Sequence, residues 1–342
     1  MNASISSTNF EIWDVADIMA RPLKPIDWLI SEIWPAGTHS DIYGPPESGK
    51  STILWSQIIA IATGQNWFGK KVKQGRVLVI GGEFTDQDWA GRSIRRFLKD
   101  KPFPHDMIKV LPNTGPMFRL NRDGEWIKTA AGYHVDEVID KFQPLLVVID
   151  TAAMLGMVDG SNYSATYDLA IQFQKMLDQH KKPTLPITGT TVSHTNQSSQ
   201  GKDEVLSWRL NYMSRGGGYG YPGRLRIMHS ASTLRDTDDV AKSTGLDRRI
   251  REGGKFIAYG VSKCSEIATP AWHFTSPAIF EMMKEEGGLL LVKDGSEVSD
   301  AVANANKQPI ENGPPHPENI GEISIIARKA KRLGLEVRDG VF

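Results

Sequence analysis

The hydrophobic residues of the chain fall into two rhythms. Leu145 to Ile149 is an unbroken apolar run that ends in Asp150, as expected of a strand covered on both faces. Arg76 to Gly81, Thr38 to Tyr43 and Ile187 to Ser193 read as further strands, with Met107 to Leu111 and Trp126 to Thr129 as weaker ones. Between them, apolar residues recur at helical spacing. Thr52 to Ala62 carries Ile53, Leu54, Ile58, Ile59 and Ile61, and Tyr167 to His180 carries Leu169, Phe173, Met176 and Leu177. Two more helices are predicted, at Asp86 to Lys99 with Arg92, Arg95 and Arg96, and within Gly124 to Asp140 leading to Phe142. Strands alternating with helices predict an α/β fold, a doubly wound and mostly parallel central sheet with ligands at the strand C-termini.

The flanks read differently. Phe10 to Ala20 predicts a short amphipathic helix, and Ile26 to Ile30 with Trp34 to Gly37 feed the first core strand. Late in the chain, Lys255 to Val261 and Ala271 to Phe274 predict a closing hairpin. Residues 195–225 are polar and Gly-rich, and a loop of that length in a compact domain is functional or disordered. Beyond 296 the composition shifts to Asn, Pro and Gly over Asn304 to Pro317, followed by a basic amphipathic helix at Ile320 to Leu333. The helix reads as a partner tether, a subunit-packing arm or a solvated end. The 342 residues thus divide into a lead-in at 1–22, a main domain at 23–296, and a linker with its terminal helix at 297–342.

Charge narrows the picture only slightly. Lys and Arg total 40 and Asp and Glu total 40, so any basic surface is local. The single cysteine, Cys264, excludes an internal disulfide framework and fits a reducing cytoplasm. No stretch approaches the roughly 18 apolar residues of a membrane span, and Met1 to Phe10 lacks the features of a secretory leader. A cytoplasmic protein without membrane association is expected.

The chemistry gathers at Gly44-Pro45-Pro46-Glu47-Ser48-Gly49-Lys50-Ser51-Thr52. The run satisfies the P-loop pattern G-x-x-x-x-G-K-[ST], and it lies between a predicted strand and a predicted helix, as that motif requires. Gly44 and Gly49 allow the backbone to curl its N–H groups around an anion, and the helix N-terminus adds its dipole. Lys50 would neutralise β- and γ-phosphate oxygens, and Ser51 would ligate Mg²⁺. The run predicts that a nucleoside triphosphate, ATP, binds here with Mg²⁺. Asp150, at the end of an apolar strand placed next to the P-loop strand, would sit near the metal through a ligand water. Glu83, just past the strand at 76–81, is the acid for orienting a water against the γ-phosphate. Asp86 and Asp88 are nearby alternatives, better read as first-turn charges of the next helix. His194 ends the following strand, where a polar side chain can touch the γ-phosphate and report its loss to the next loop.

With these pieces in order, the chain resembles the RepA-type, RecA-like hexameric helicase ATPases of plasmids, phages and mobile elements. The resemblance is carried by Pro25 to Ile30, Pro35 to Thr38, Gly44 to Thr52, Ala62 to Gly69 with the following Val-Leu strand and Glu83, Leu146 to Thr151, Val192 to Thr195, and Gly260 to Lys263. It spans about residues 22–275. It departs from the family at Ser265, where a second basic residue is common, and in the greater length of 196–250.

The resemblance implies a RecA-like P-loop NTPase core in a homohexameric ring, with the nucleotide between subunits and a neighbour's basic residue completing the site. Lys263 is the first choice for that residue, with Arg235 and Arg215 behind it. Loops at Gly156 to Ser164 and Asn196 to Arg224 would face a central channel. There Lys202, Arg209, Arg215 and Arg224 would track phosphates, and Tyr212, Tyr219 or Tyr221 would stack bases. The implied activity is an ATP-driven motor on single-stranded nucleic acid, most of all a replicative DNA helicase, with a replication or recombination partner held by the terminal helix. An ATPase that loads or anneals strands without unwinding, and an ATP-gated protein switch, remain open.

Overall fold

The computed structural model describes residues 14–81, 87–98, 105–112, 114–156, 163–194, 227–265, 267, 270–273, 276–283, 288–298 and 300. The chain divides into a unit at Met1–Val302 and a second at Ala303–Phe342. All described residues belong to the first, so Asn304 to Pro317 and the terminal helix lie outside them. Residues 297, 298 and 300, assigned to the linker, are described and helical, with Val298 buried in the core.

The strands are β1 (Trp28–Ile30), β2 (Trp34–Pro35), β3 (His39–Gly44), β4 (Val77–Gly81), β5 (Ile108–Pro112), β6 (Phe118–Leu120) and β7 (Trp126–Lys128). Then come β8 (Leu146–Asp150), β9 (Thr188–His194), β10 (Ile227–Thr233), β11 (Phe256–Cys264), β12 (Ala278–Met282) and β13 (Leu289–Lys293). The described helices are α1 (Val15–Ala20), α2 (Lys50–Thr63), α3 (Gln87–Leu98), α4 (Ala130–Phe142), α5 (Tyr163–His180), α6 (Asp239–Ser243) and α7 (Asp247–Arg251). None is long and apolar enough to cross a membrane.

One 9-stranded sheet organises the unit, in the order β13-β12-β11-β10-β3-β9-β8-β4-β5. From β10 through β5 every neighbouring pair is parallel, whereas β11, β12 and β13 add antiparallel strands at one side. The fold is thus the mixed α/β architecture, mostly parallel at its centre, that the alternating pattern predicts.

The apolar runs explain the layering. Successive side chains of a strand point to opposite faces. Val77, Val79 and Val148 join one core cluster with Leu54, Ile58 and Ile61 of α2. Leu78, Ile80, Val147 and Ile149 join another with Ile139 of α4 and Phe173 and Leu177 of α5. An unbroken apolar strand therefore feeds two cores at once. Helix ends follow local chemistry: α2 stops at Gly64, whose φ of 71° is a left-handed cap, and Thr129 caps α4 by accepting from the Gly132 N–H.

Several expectations are corrected. The acid-bearing strand β8 is not next to the P-loop strand β3; β9 lies between them. The strand before Glu83, β4, lies beyond β8. Equally apolar strands leave no trace of their lateral order in the sequence, so neighbours cannot be told from composition. Ile26 to Ile30 and Trp34 to Gly37 contribute a two-stranded sheet of their own, β1 with β2.

The predicted hairpin partner of β11 is also displaced. Residues 271–273 form a turn, bridged to β11 at Val261 and His273, and the true partner is β12. Trp272 mimics a strand residue because it is buried, but it enters the core from the turn with φ 54°. The strand β10 escaped prediction altogether: His229, Ser230 and Ser232 interrupt its apolar residues, yet all are buried.

Candidate functional site

The strand β3 is buried along its whole length, and α2 begins only six residues after it, at Lys50. The intervening loop is tightly shaped. Gly49 has φ 84°, a left-handed conformation that glycine adopts without steric cost. A Cβ on Gly44 would fall 2.0 Å from the Ala231 carbonyl oxygen of β10. That contact is with backbone, so no side chain fits there. Glu47, at φ 59°, accepts at its carbonyl from the Thr233 hydroxyl at 3.4 Å.

Four chemistry-bearing side chains converge on this loop. Lys50 Nζ donates to the carbonyls of Gly44 at 3.0 Å and Pro45 at 2.6 Å, and lies 3.4 Å from His194 Nδ1. Ser51 Oγ donates to Asp150 Oδ2 at 3.1 Å. Topology makes this possible: β3, β9 and β8 run parallel, so Gly44 and His194 pair in the ladder, and Asp150 pairs with Val192 one strand further. The ligand side of a parallel sheet is the C-terminal one. The Asp150–Thr151 peptide is cis. A cavity of about 230 Å³ lies among Glu47 to Thr52, Asp150 and His194, with Met282 of β12 adding an apolar wall.

The residues fit a Mg²⁺-bound triphosphate. Ser48 Oγ is buried with no hydrogen-bond partner among the described residues. Ser51 with Asp150 forms a compact hard-oxygen pair. No group of three or more His, Cys, Asp or Glu among the described residues could hold a metal alone. Ser51 as a direct ligand, Asp150 behind a ligand water, and phosphates and waters for the rest of the shell suit Mg²⁺, which keeps several of its waters.

Beneath the loop lies a group the sequence reading missed. Asp41 of β3 has no exposed surface. Burial pushes its carboxyl up to about 7, while hydrogen bonds from Thr191 and Ser193 and the charge of Lys50 pull the other way. A polar residue within a strand expected to be covered on both faces was the available signal.

The other predicted residues fall elsewhere. Glu83 lies outside the described residues; β4 ends two positions before it at Gly81, which pairs with Asp150. Lys202, Arg209, Arg215 and Arg224, with the tyrosines among them, also lie outside. Lys263 is half-buried on β11, and burial lowers its pKa. It pairs with Met228, which pairs in turn with Asp41. That level is three residues before Gly44, about 10 Å down the strand direction, so the structure does not bring Lys263 to this chain's own phosphate loop. Arg235 is exposed just past β10, at the strand end that also carries the loop.

Residues 6–200 match the family described as AAA domain. No curated protein gives a significant match. The matched stretch contains the loop, Asp150 and His194 and stops before β10 to β13, which complete the same sheet. With more than half of its length matched and the phosphate loop in its strand-to-helix setting, the chain belongs to the AAA domain family of P-loop ATPases.

Proposed function

We propose that the chain is an ATP-hydrolysing motor on single-stranded DNA, working as a homohexameric ring of the RepA helicase kind. The observation that carries this reading is the convergence of Lys50, Ser51, Asp150 and His194 at the ends of three neighbouring strands. The set supplies a phosphate clamp, a metal pair and a polar group poised beside the clamp.

Binding would exchange the two bonds from the Lys50 ammonium to loop carbonyls for bonds to phosphate oxygens, in which donor and acceptor are both charged. Ser51 and Asp150 would hold Mg²⁺, which when bound neutralises charge on the β- and γ-oxygens. Glu83, following β4 beyond Gly81, would orient the attacking water and take its proton. His194, next to Lys50 and last on β9, would register whether the γ-phosphate is present and pass that state to the chain after it. Lys263, far from its own loop, would serve the neighbouring subunit's nucleotide. Lys202, Arg209, Arg215 and Arg224 would follow the DNA backbone in the channel.

The test is ATP turnover with and without single-stranded DNA, followed by unwinding of a forked duplex. Stimulation and unwinding support the helicase reading. Stimulation without unwinding moves the assignment to a loading or annealing ATPase, and turnover indifferent to DNA favours a protein switch.

A further inference from the structure

The strands β4 and β8 show what the centre of this sheet ordinarily requires: Val77 to Ile80 and Leu146 to Ile149 are apolar and buried throughout. Asp41 is buried as deeply. An apolar residue there would avoid the cost of desolvating a carboxyl group. The bonds Asp41 makes are specific. Its Oδ1 accepts from the hydroxyls of Thr191 and Ser193, the latter at 2.9 Å, both on β9. Its Oδ2 has no hydrogen-bond partner among the described residues.

The ladder explains why those two hydroxyls matter. Asp41 pairs with Thr191, Tyr43 with Ser193, and Gly44 with His194. Asp41 thus bonds straight across and diagonally forward, gripping the final stretch of β9 from the phosphate-loop strand. Ser193 is the last half-buried residue of that strand, and His194 beyond it is exposed. An exposed side chain 3.4 Å from Lys50 Nζ needs its backbone held if that distance is to be kept.

On the reading that this site hydrolyses ATP, we propose that Asp41 is a positioning residue that, through Thr191 and Ser193, fixes the end of β9 so that His194 faces Lys50 and the γ-phosphate. Its carboxyl oxygen is needed as an acceptor and does not touch the nucleotide.

The test separates positioning from mere support of the fold. The triple variant Asp41→Leu, Thr191→Val, Ser193→Ala replaces the polar seam with apolar side chains like those of β8. Asp41→Asn keeps an acceptor oxygen in place. Thermal melting, fluorescent-ATP binding, kcat and KM would be measured for both, and again in a His194→Asn background. The expected result is a triple variant that melts no lower than the parent and binds nucleotide within about threefold, yet loses about tenfold in kcat. Asp41→Asn should retain kcat within about threefold, and in the His194→Asn background the triple variant should cost nothing further. Parental kcat in a well-folded triple variant overturns the proposal. So does an equal loss with and without His194, or a loss of kcat accompanied by an equal loss of binding and a lower melting point. A parent chain that binds ATP without hydrolysing it removes the ATPase reading and this role together, an outcome distinct from failure of the role alone.

Discussion

Ser51 and Asp150, 99 residues apart in sequence, are joined by a hydrogen bond of 3.1 Å between hydroxyl and carboxylate. The first residues of α2 and the end of β8 are thereby set so that Ser51 could ligate one small cation and Asp150 hold it through a ligand water. Asp150→Asn should leave the fold and ATP binding intact but raise the Mg²⁺ needed for half-maximal turnover by about 10- to 100-fold, the usual effect of losing an outer-shell carboxylate. A Mg²⁺ titration of turnover checks this, and an unchanged midpoint would take Asp150 out of the metal site.

Glu83→Gln should bind ATP with Mg²⁺ normally and lose about a hundredfold or more in turnover, the scale of a lost general base. Asp86→Asn should be far milder. Single-turnover rates for the two variants settle the ranking, and the reverse order would make Asp86 the base.

Changing Arg209, Arg215 and Arg224 together to Ala should reduce the slope of log affinity for single-stranded DNA against log salt. The expected reduction is about two units, since each phosphate contact on a single strand contributes about 0.7. A slope equal to that of the parent would place the DNA surface elsewhere.

Lys263→Ala should bind ATP yet turn it over slowly, and mixing it with Lys50→Ala should restore part of the activity. A mixed ring contains interfaces with both lysines intact, which neither pure ring has, and cyclic head-to-tail contacts allow such complementation. Fluorescence transfer between labelled variants would first establish subunit exchange. A ring that exchanges subunits without recovering turnover excludes the trans role of Lys263.

Acid should destabilise the fold through two buried histidines. Burial lowers His39 and His229 from 6.5 to about 3, so between those values the unfolded chain binds protons that the folded one refuses. Asp41 acts in the opposite sense: its carboxyl is raised from 3.8 to about 7, so the folded chain keeps a proton that the unfolded one has lost. From about pH 5.5 down to 4, these three groups leave the unfolded state with about one more proton. Stability then falls by about 1.4 kcal/mol per pH unit on acidification. Near pH 7 the two histidines and Asp41 offset one another, and stability is nearly flat. His39 lies 4.8 Å from the ring of Phe173, so His39→Phe preserves an aromatic contact and should flatten the acid slope by one proton in urea melts. An unaltered slope would mean that His39 titrates normally.

The parts of the site that depend on local spacing were legible in the sequence. Glycines, lysine and serine of the loop declare themselves because one backbone curl needs them at fixed offsets, and Asp150 because an apolar run delivers it. The pairing of β3 with β9 and β10 was not legible, since hydrogen bonding between covered strands leaves no compositional mark. Polar residues inside buried strands were misread most. His229, Ser230 and Ser232 concealed β10, and Asp41 with Thr191 and Ser193 passed as ordinary strand positions, because their bonds are made to partners far along the chain.

The placement of β10 against β3 has a consequence for the order of assembly. Ser40 to Tyr43 pair on one side with residues 227–230, encoded in the second half of the chain. Until that stretch is synthesised, the phosphate-loop strand is an open edge with unpaired backbone groups, a template for pairing with other chains. The carbonyl that crowds Gly44 comes from the same late strand. Contacts so distant in sequence form slowly, so the cradle is among the last parts of the sheet to close on the ribosome. A fragment ending near residue 200 would contain the whole motif and still associate with itself, with one edge of its catalytic strand left bare.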